Sequence, residues 1–193
     1  MVPCPELELI EAFYDAPDCE RIYRRLLHEQ LWPDNRYTVA GRQFILPRLQ
    51  TWHADPGICY SYSNNLLETR SWTPLLSDIR LKIESFLNFS FNSVLVNWYR
   101  NGDDYVGWHA DNEPELGEYP FIASLTLGTE RLFEFRHKKS LEHGRVLLRS
   151  GTLLIMQPDF QHHWLHSVPI DKNVTSGRIN LTFRKVIHAS NIR

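Results

Sequence analysis

Residues 97–113 read Asn-Trp-Tyr-Arg-Asn-Gly-Asp-Asp-Tyr-Val-Gly-Trp-His-Ala-Asp-Asn-Glu, and this stretch decides how the fold is read. It opens as a strand. In an extended chain, residues i and i+2 point to the same side. Val94, Val96 and Trp98 therefore share one face, and Asn97 and Tyr99 share the other. A polar turn follows. The chain then delivers His109 and Asp111, again two residues apart, so an imidazole and a carboxylate are presented to one point. That pair suits a metal ion.

Downstream of Asn88 the chain is strand-like almost to its end. Candidate strands lie at 93–99, 122–127, 132–136, 146–148, 152–156, 164–168 and 178–183, with Gly, Pro and Asn between them. Upstream the period is helical. Ile22, Leu26, Leu27 and Leu31 make an apolar stripe that predicts a helix over 17–31, with Asp15 and Asp18 suiting its first turn and Pro33 ending it. Segments 37–39 and 42–45 are expected to pair as a hairpin across Ala40-Gly41. A segment from Pro47-Arg48 reaches Trp52, and Asp55-Pro56-Gly57 is a turn. Residues 58–63 alternate as a strand, with Tyr60 and Tyr62 on one side. Thr73-Pro74 is an N-cap and first helical residue for a second helix marked by Leu75, Ile79, Ile83, Phe86 and Leu87. Two helices followed by many short strands predict an α+β chain whose sheet part is an antiparallel sandwich or jelly roll.

The composition sets bounds on function. A chain of 193 residues is long enough for one sizeable core, and nothing in it marks a linker or a repeat. No apolar run reaches the length of a membrane span. The N-terminus lacks the order of a signal peptide, so a cytoplasmic protein is expected, or a nuclear one in a eukaryote, and not a secreted one. Cys4, Cys19 and Cys59 are scattered and odd in number, which points to a reducing compartment rather than a disulfide framework. A formal net charge of −2 gives no global pull toward nucleic acid, so any such partner needs a local basic patch.

An H-x-D pair alone is weak in a chain with nine histidines, and the plain alternative is a surface histidine beside a solvated aspartate. Three features shift that balance. First, His166 in Trp164-Leu165-His166-Ser167-Val168-Pro169 lies on a predicted strand and completes a set of two histidines and one carboxylate. That set leaves open positions and is typical of non-haem Fe(II) oxygenases, although zinc accepts it too. His162 and His163 are read as exposed or packing histidines. Second, Arg178, Asn180, Thr182 and Arg184 fall on one face of a strictly alternating strand, with Ile179, Leu181 and Phe183 on the other. Two inward arginines need an anion, and a dicarboxylate satisfies both because guanidinium binds carboxylate bidentately. The alternative is an exposed strand with solvated arginines. Third, Asn97 and Tyr99 offer an amide and a phenol on one face.

Together these motifs resemble the AlkB family of Fe(II)- and 2-oxoglutarate-dependent dioxygenases, within it the nucleic-acid repair branch. The resemblance rests on N-x-Y-x-x-G, G-W-H-x-D-x-E, W-x-H-S-x-P and R-x-N-L-T-F-R in that order. It is supported by Leu46-Pro47-Arg48, Tyr60-Ser61-Tyr62-Ser63 and Phe135-Arg136-His137-Lys138. It implies a double-stranded β-helix, a jelly-roll variant, forming one domain over 1–193. The N-terminal helix and a nucleotide-recognition lid would occupy about 1–92, and the core about 93–187. It implies Fe(II) on His109, Asp111 and His166, with 2-oxoglutarate and O2 as cosubstrates. Arg184, helped by Asn180, would hold the carboxylate near the metal. Arg178 and Tyr99 would hold the distal one, with Asn97 adding a hydrogen bond and Thr182 on the same face. Cosubstrate oxidation to succinate would drive hydroxylation of an N-methyl group, which leaves as formaldehyde.

For the substrate, the resemblance implies alkylated DNA or RNA with a base taken out of the stack. Tyr62 and the His109 ring would sandwich that base, and Tyr60 and Trp52 would line the lid. Glu113 would face the polar edge and favour cationic lesions such as 1-methyladenine and 3-methylcytosine. Arg48 and the basic stretch His137-Lys138-Lys139 with Arg145 and Arg149 would meet phosphates. Each has a plain alternative: core aromatics, a solvated glutamate, a solvated loop. The chain departs from duplex-acting members at the hairpin tip Val39-Ala40-Gly41, which carries no aromatic wedge, so single-stranded or unpaired substrate is expected. A monomer is expected. Two competing readings keep the iron chemistry but change the substrate to a protein or lipid, or abandon catalysis for a nucleic-acid-binding adaptor. The adaptor reading predicts a missing ligand or arginine, and none is missing.

Overall fold

Strict alternation over residues 178–184 needs two different neighbours, one apolar and one polar, and the fold supplies both. The computed structural model describes residues 4–34, 36–39, 41–58, 61–62, 65–66 and 68–187. In chain order these form β1 (Leu7–Ile10), α1 (Ala16–Glu29), the hairpin β2 (Arg36–Val39) and β3 (Arg42–Ile45), β4 (Leu49–Ala54), the short pair β5 (Ser61–Tyr62) and β6 (Asn65–Leu66), β7 (Thr69–Arg70), and α2 (Pro74–Leu87). There follow β8 (Ser93–Tyr99), β9 (Val106–His109), β10 (Ile122–Gly128), β11 (Arg131–His137), β12 (His143–Leu148), β13 (Leu153–Met156), the single turn α3 (Phe160–His163), β14 (Trp164–Val168) and β15 (Arg178–Arg184).

The core strands make two facing sheets, with β2–β3 and β5–β6 as separate two-stranded pairs. The larger runs β1-β13-β10-β15-β8-β4-β7 and is antiparallel except for the β4–β7 pair; the smaller runs β12-β11-β14-β9. This is the jelly-roll core of an α+β chain, with α1 and α2 as its supporting helices. Those helices cover the outer face of the larger sheet. Ile22 and Leu26 of α1 and Leu76, Ile79 and Ile83 of α2 pack with Val94, Val96, Leu125, Leu127, Ile179, Leu181 and Phe183. Between the sheets a second cluster forms from Tyr99, Ile122, Phe133, Phe135, Leu148, Leu154, Met156, Phe160, Trp164 and Val168. β15 is thus buried on both sides, which is why every one of its residues is buried, the polar ones included.

The helix boundaries follow from local chemistry. Asp15 caps α1 by accepting from the Asp18 amide at 2.9 Å, and Thr73 caps α2 by accepting from the Leu76 amide at 3.2 Å. Asn88 ends α2 in the left-handed region at φ 49°. The helix predicted over 17–31 stops at Glu29, so Leu31 lies beyond the cap and is 80 % exposed rather than part of the stripe. Phe86 is 54 % exposed and meets the core only edge-on, with its ring 5.4 Å from Phe13.

The hairpin β2–β3 pairs Tyr37 with Phe44 and Val39 with Arg42 in register; its tip residue Ala40 lies outside the described residues, and Gly41 has φ 77°. Of the strand expected at 58–63, the structure describes only Ser61–Tyr62, and Tyr60 and Cys59 lie outside the described residues. β1, β6 and β7 were not expected from sequence. β1 is four residues long and owes its conformation to the edge of β13, where Leu7 faces Met156 and Ile10 faces Leu153. Cys4 and Cys19 are free thiols, and no described helix is long and apolar enough to cross a membrane.

Candidate active site

The site lies between the sheets, where β8 and β15 present their polar faces to β9 and β14. Register brings the predicted residues together. Arg178 pairs with Tyr99 and Asn180 with Asn97 across β15–β8, while His166 pairs with His109 across β14–β9. One cavity is lined by His109, Asp111, His166, Asn97, Tyr99, Arg178, Asn180, Thr182, Arg184 and Arg48.

His109, Asp111 and His166 each bring a ligand atom within 4.8 Å of the others. The two imidazole centroids are 4.2 Å apart, and His109 Nε2 is 3.6 Å from Asp111 Oδ1. Each group is prepared by its surroundings. His109 Nδ1 lies 2.8 Å from the Gly107 carbonyl, which fixes the proton there and leaves Nε2 with a lone pair. Asp111 Oδ2 accepts from Arg184 at 2.8 Å, both side chains being 2 % exposed, while Oδ1 is buried with no hydrogen-bond partner among the described residues. His166 lies against the Phe133 ring, 5.2 Å between centroids, and its Nδ1 is buried with no hydrogen-bond partner among the described residues.

Charge in the site is set by competition. Burial pushes the Asp111 carboxyl up, but Arg184 and the two histidines outweigh it and hold it down at about 2. Burial, reinforced by His109, pushes His166 down to about 3, and burial lowers His109 against the opposing pull of Asp111. At neutral pH the trio is therefore two neutral imidazoles and one carboxylate, the protonation state in which all three donate to a cation. The uncompensated Asp111 Oδ1 and His166 Nδ1 are costly in a closed cavity without an ion, so the donor set fits a bound divalent metal of the iron or zinc type.

Deeper in the same cavity Arg178 is buried. Its Nη2 donates to Thr126 Oγ1 at 2.9 Å, and its Cζ sits 5.1 Å over the Tyr99 ring. Nε and Nη1 have no hydrogen-bond partner among the described residues, and burial pushes the guanidinium down to about 10. Asn97 Oδ1 accepts from Arg48 Nε at 3.0 Å and Gln50 Nε2 at 2.7 Å. Asn180 donates to Ser124 Oγ at 2.8 Å and accepts from Thr182 Oγ1 at 2.8 Å. These amides hold the cavity wall.

The residues expected at the substrate are placed less uniformly. Arg48 is 4 % exposed and donates to Asn97 and to the Tyr105 carbonyl, so it lines the cavity instead of an outer basic surface. Trp52 is in the core with Ala54, Leu95, Leu116 and Val186, the plainer of its two expected roles. Glu113 is half-buried at the start of the 3-10 turn Pro114–Leu116, two residues beyond Asp111. The Tyr62 backbone lies in β5, while its side chain and all of Tyr60 lie outside the described residues. The basic stretch divides: Lys138 Nζ donates to the Gln161 carbonyl, and Arg149 pairs with Glu11 and Glu130, whereas Arg145 has no ion pair among the described residues.

The structure adds two residues that sequence reasoning missed. Gln161 Oε1 accepts the Asp111 amide at 2.9 Å and so fixes the backbone of a ligand. Arg131, 2 % exposed, ties the Asn101, Asp104 and Pro169 carbonyls together beneath Tyr99. Gln161 lies in a histidine-rich stretch with no pattern of its own, whereas Arg131 shares strand parity with the buried Phe133 and Phe135 but falls one residue before the strand expected at 132–136.

The family model for the 2OG-Fe(II) oxygenase superfamily matches residues 6–184. The chain belongs to the 2OG-Fe(II) oxygenase superfamily. It is 37 % identical over 185 residues to DNA oxidative demethylase ALKBH2 of Mus musculus, covering 90 % of this chain and 77 % of that protein. It is 36 % identical over 188 residues to alpha-ketoglutarate-dependent dioxygenase alkB homolog 3 of Homo sapiens, covering 92 % of this chain and 65 % of that protein. Both place it with the AlkB group. The solved structure of OsALKBH1 superposes with a TM-score of 0.63 over 96 % of this chain and all of that one, at 21 % identity, and so speaks to the jelly-roll fold alone. As a superfamily member the chain is an Fe(II)- and 2-oxoglutarate-dependent dioxygenase that uses O2. The His109–Asp111–His166 cluster is its candidate metal centre.

Proposed function

We propose that this dioxygenase demethylates N-alkylated bases in DNA, with RNA as a possible second nucleic acid, and that it favours single-stranded or unpaired substrate. The observation that carries the proposal is the pairing of two buried arginines with the histidine–aspartate–histidine cluster in one cavity. Arg184 pairs with Asp111 beside the place proposed for the near carboxylate, and Arg178 keeps two donors for the distal one. The names borne by the two similar proteins support the substrate class.

Bound iron, with 2-oxoglutarate and O2, supplies the oxidant that hydroxylates the N-methyl carbon; the hydroxymethyl group then leaves as formaldehyde. The protein contributes position. Arg184 stops the Asp111 carboxylate from rotating, so Oδ1 alone faces His109. Gly107 fixes the His109 tautomer. Arg178, backed by Tyr99 and Thr126, receives the distal carboxylate, and a charge-assisted bidentate contact there sets the length of acid accepted. Phe133, Leu148 and Val168 line the cavity with apolar surface that keeps it dry. Glu113, half-buried two residues past Asp111, is the residue proposed to face the polar edge of the base, where its carboxylate would favour a base made cationic by methylation. Tyr62 is the partner proposed for stacking. The hairpin tip without an aromatic wedge favours a base that is already unpaired.

The test incubates the protein with Fe(II), 2-oxoglutarate and an oligonucleotide bearing 1-methyladenine or 3-methylcytosine, and follows formaldehyde and restored base. Equal strands presented single and annealed test the strand preference. Asp111→Ala is expected to abolish both succinate and formaldehyde production, and activity retained in it assigns the wrong carboxylate. Succinate formed without base restoration moves the substrate to a protein or lipid.

A further inference from the structure

A second, shallower groove crosses the outer face of the smaller sheet, on the side away from the metal cluster. It is lined by Trp108, Glu134, Arg136, His143, Gly144 and Arg145. Trp108 immediately precedes the ligand His109 on β9, and alternation sends the two side chains to opposite faces of one strand. The indole is 40 % exposed, and the Arg136 guanidinium stands over it at 4.7 Å from the ring centroid. Arg145 lies on β12 opposite Glu134 in register, yet no ion pair joins them, and neither Arg136 nor Arg145 has a carboxylate partner among the described residues. The groove spans the sheet from β9 to β12, three strand spacings or about 14 Å.

We propose that this groove binds the single-stranded nucleic acid that flanks the base held in the cavity. The inference rests on the nucleic-acid reading above and extends it to a site outside the catalytic cavity. Three observations favour this occupant. Two guanidinium groups without carboxylate partners face Glu134 as the sole lining carboxylate, so the lining is cationic, which complements a polyanion. An exposed indole already braced by Arg136 is a stacking platform that accepts any base, the device by which single strands are held without sequence readout. β9 is the edge strand of the smaller sheet, so a chain leaving the cavity beside His109 reaches Trp108 by rounding that edge. The groove also supplies the local positive patch that a net charge of −2 does not.

The experiment compares the wild type, the double variant Arg136→Gln/Arg145→Gln, and Trp108→Phe on two substrates: a methylated single strand of about twenty nucleotides and a methylated trinucleotide too short to reach the groove. The double variant is expected to lose about tenfold in kcat/KM on the long strand and nothing on the trinucleotide. The slope of its log affinity against log salt should fall by about 1.4, two phosphates at about 0.7 each. Tryptophan fluorescence of the wild type should be quenched by the long strand, and the quenching should be lost in Trp108→Phe. Unchanged salt slope and kcat/KM on the long strand overturn the groove while leaving the demethylase reading intact. Polyglutamate that competes as well as the oligonucleotide reassigns the surface to an acidic protein and also overturns it. A wild type that turns over 2-oxoglutarate but neither binds nor demethylates any oligonucleotide overturns both readings.

Discussion

Arg178 shows how stability and function pull apart at one side chain. It is a buried guanidinium whose Nε and Nη1 have no hydrogen-bond partner among the described residues, and burial has already lowered its pKa to about 10. Without an anion it is a liability, because a buried charge is stabilised only by full pairing. Arg178→Met should therefore leave the melting temperature of the ligand-free protein unchanged or raised. It should weaken 2-oxoglutarate by about 10- to 100-fold, the worth of roughly 1.5–3 kcal/mol for hydrogen bonds to a charged group. Thermal melts with and without 2-oxoglutarate read both effects; a sharp fall in the ligand-free melt would mean that Arg178 is structural. His166 makes a parallel statement about pH. Burial holds its imidazole neutral down to about 3, against 6.5 for an ordinary histidine. Between those values the unfolded chain binds the extra proton, so this contribution to stability is whole above about 6.5 and drains away as pH falls toward 3. Metal-free protein should thus melt progressively lower from pH 7 to pH 4, and His166→Gln should flatten the curve. Parallel curves for the two proteins would contradict the assignment.

The elements were legible wherever a period could be read, and obscure wherever a neighbour decides. Alternation along β8 and β15 placed Asn97, Tyr99 and the two arginines on the cavity side; Thr73 was legible as a cap, while Asp15, read as a first-turn residue, is the cap of α1. His109 and Asp111 were legible from their spacing, although only His109 lies in β9, and His166 from its place on a predicted strand. β1 was missed because its alternation, Glu6-Leu7-Glu8-Leu9, is too short to tell from chance, and its pairing with the edge of β13 is tertiary. Gln161 and Arg131 were invisible because their partners are backbone atoms of distant loops. Gly102 lies between these cases: its motif was readable, and its reason is tertiary. Its amide donates to the Val174 carbonyl at 2.8 Å and its carbonyl accepts from the Asp171 amide at 2.9 Å, so two loops touch backbone to backbone. A Cβ at this position would overlap the Asp171 carbonyl oxygen, which no side-chain rotation relieves. Gly102→Ala should cost about 1–3 kcal/mol, as overpacking generally does. The readout is a lower urea midpoint at unchanged slope, and because the turn carries Tyr99 toward Arg178, a raised KM for 2-oxoglutarate should accompany it. An alanine variant as stable as the wild type would show that the 102–171 contact gives way freely.

At the scale of the whole molecule, the question is whether the N-terminal half is a detachable cover or a working part of the core. A boundary near residue 92 is natural in sequence, since the catalytic motifs all follow it. The sheet does not respect it. β4 pairs with β8 residue for residue from Leu49–Trp98 to Ala54–Ser93, and β1 closes the far edge on β13. α1 and α2 cover Val94, Val96, Leu125, Ile179, Leu181 and Phe183, each fully buried. Removing residues 1–92 would strip both edges and one whole face from the larger sheet, exposing a contiguous apolar surface far beyond what a soluble monomer tolerates. Each buried aliphatic or aromatic side chain is worth about 1.5–3 kcal/mol, so losing cover over six of them forfeits about 9–18 kcal/mol, as much as the 5–15 kcal/mol by which a domain is usually stable. A chain of residues 93–193 should therefore fail to fold: it should lack near-ultraviolet circular dichroism, bind a hydrophobic dye and show no cooperative melt. The complete chain should unfold in a single transition seen alike by far-ultraviolet signal and tryptophan fluorescence. Iron or a redox-inert divalent metal, added with 2-oxoglutarate, should shift that one transition upward, because the ligands bind only the folded state. Were residues 93–193 to fold and melt cooperatively alone, the N-terminal half would be a separable lid, and β4 would be an accessory to the sheet that carries the site.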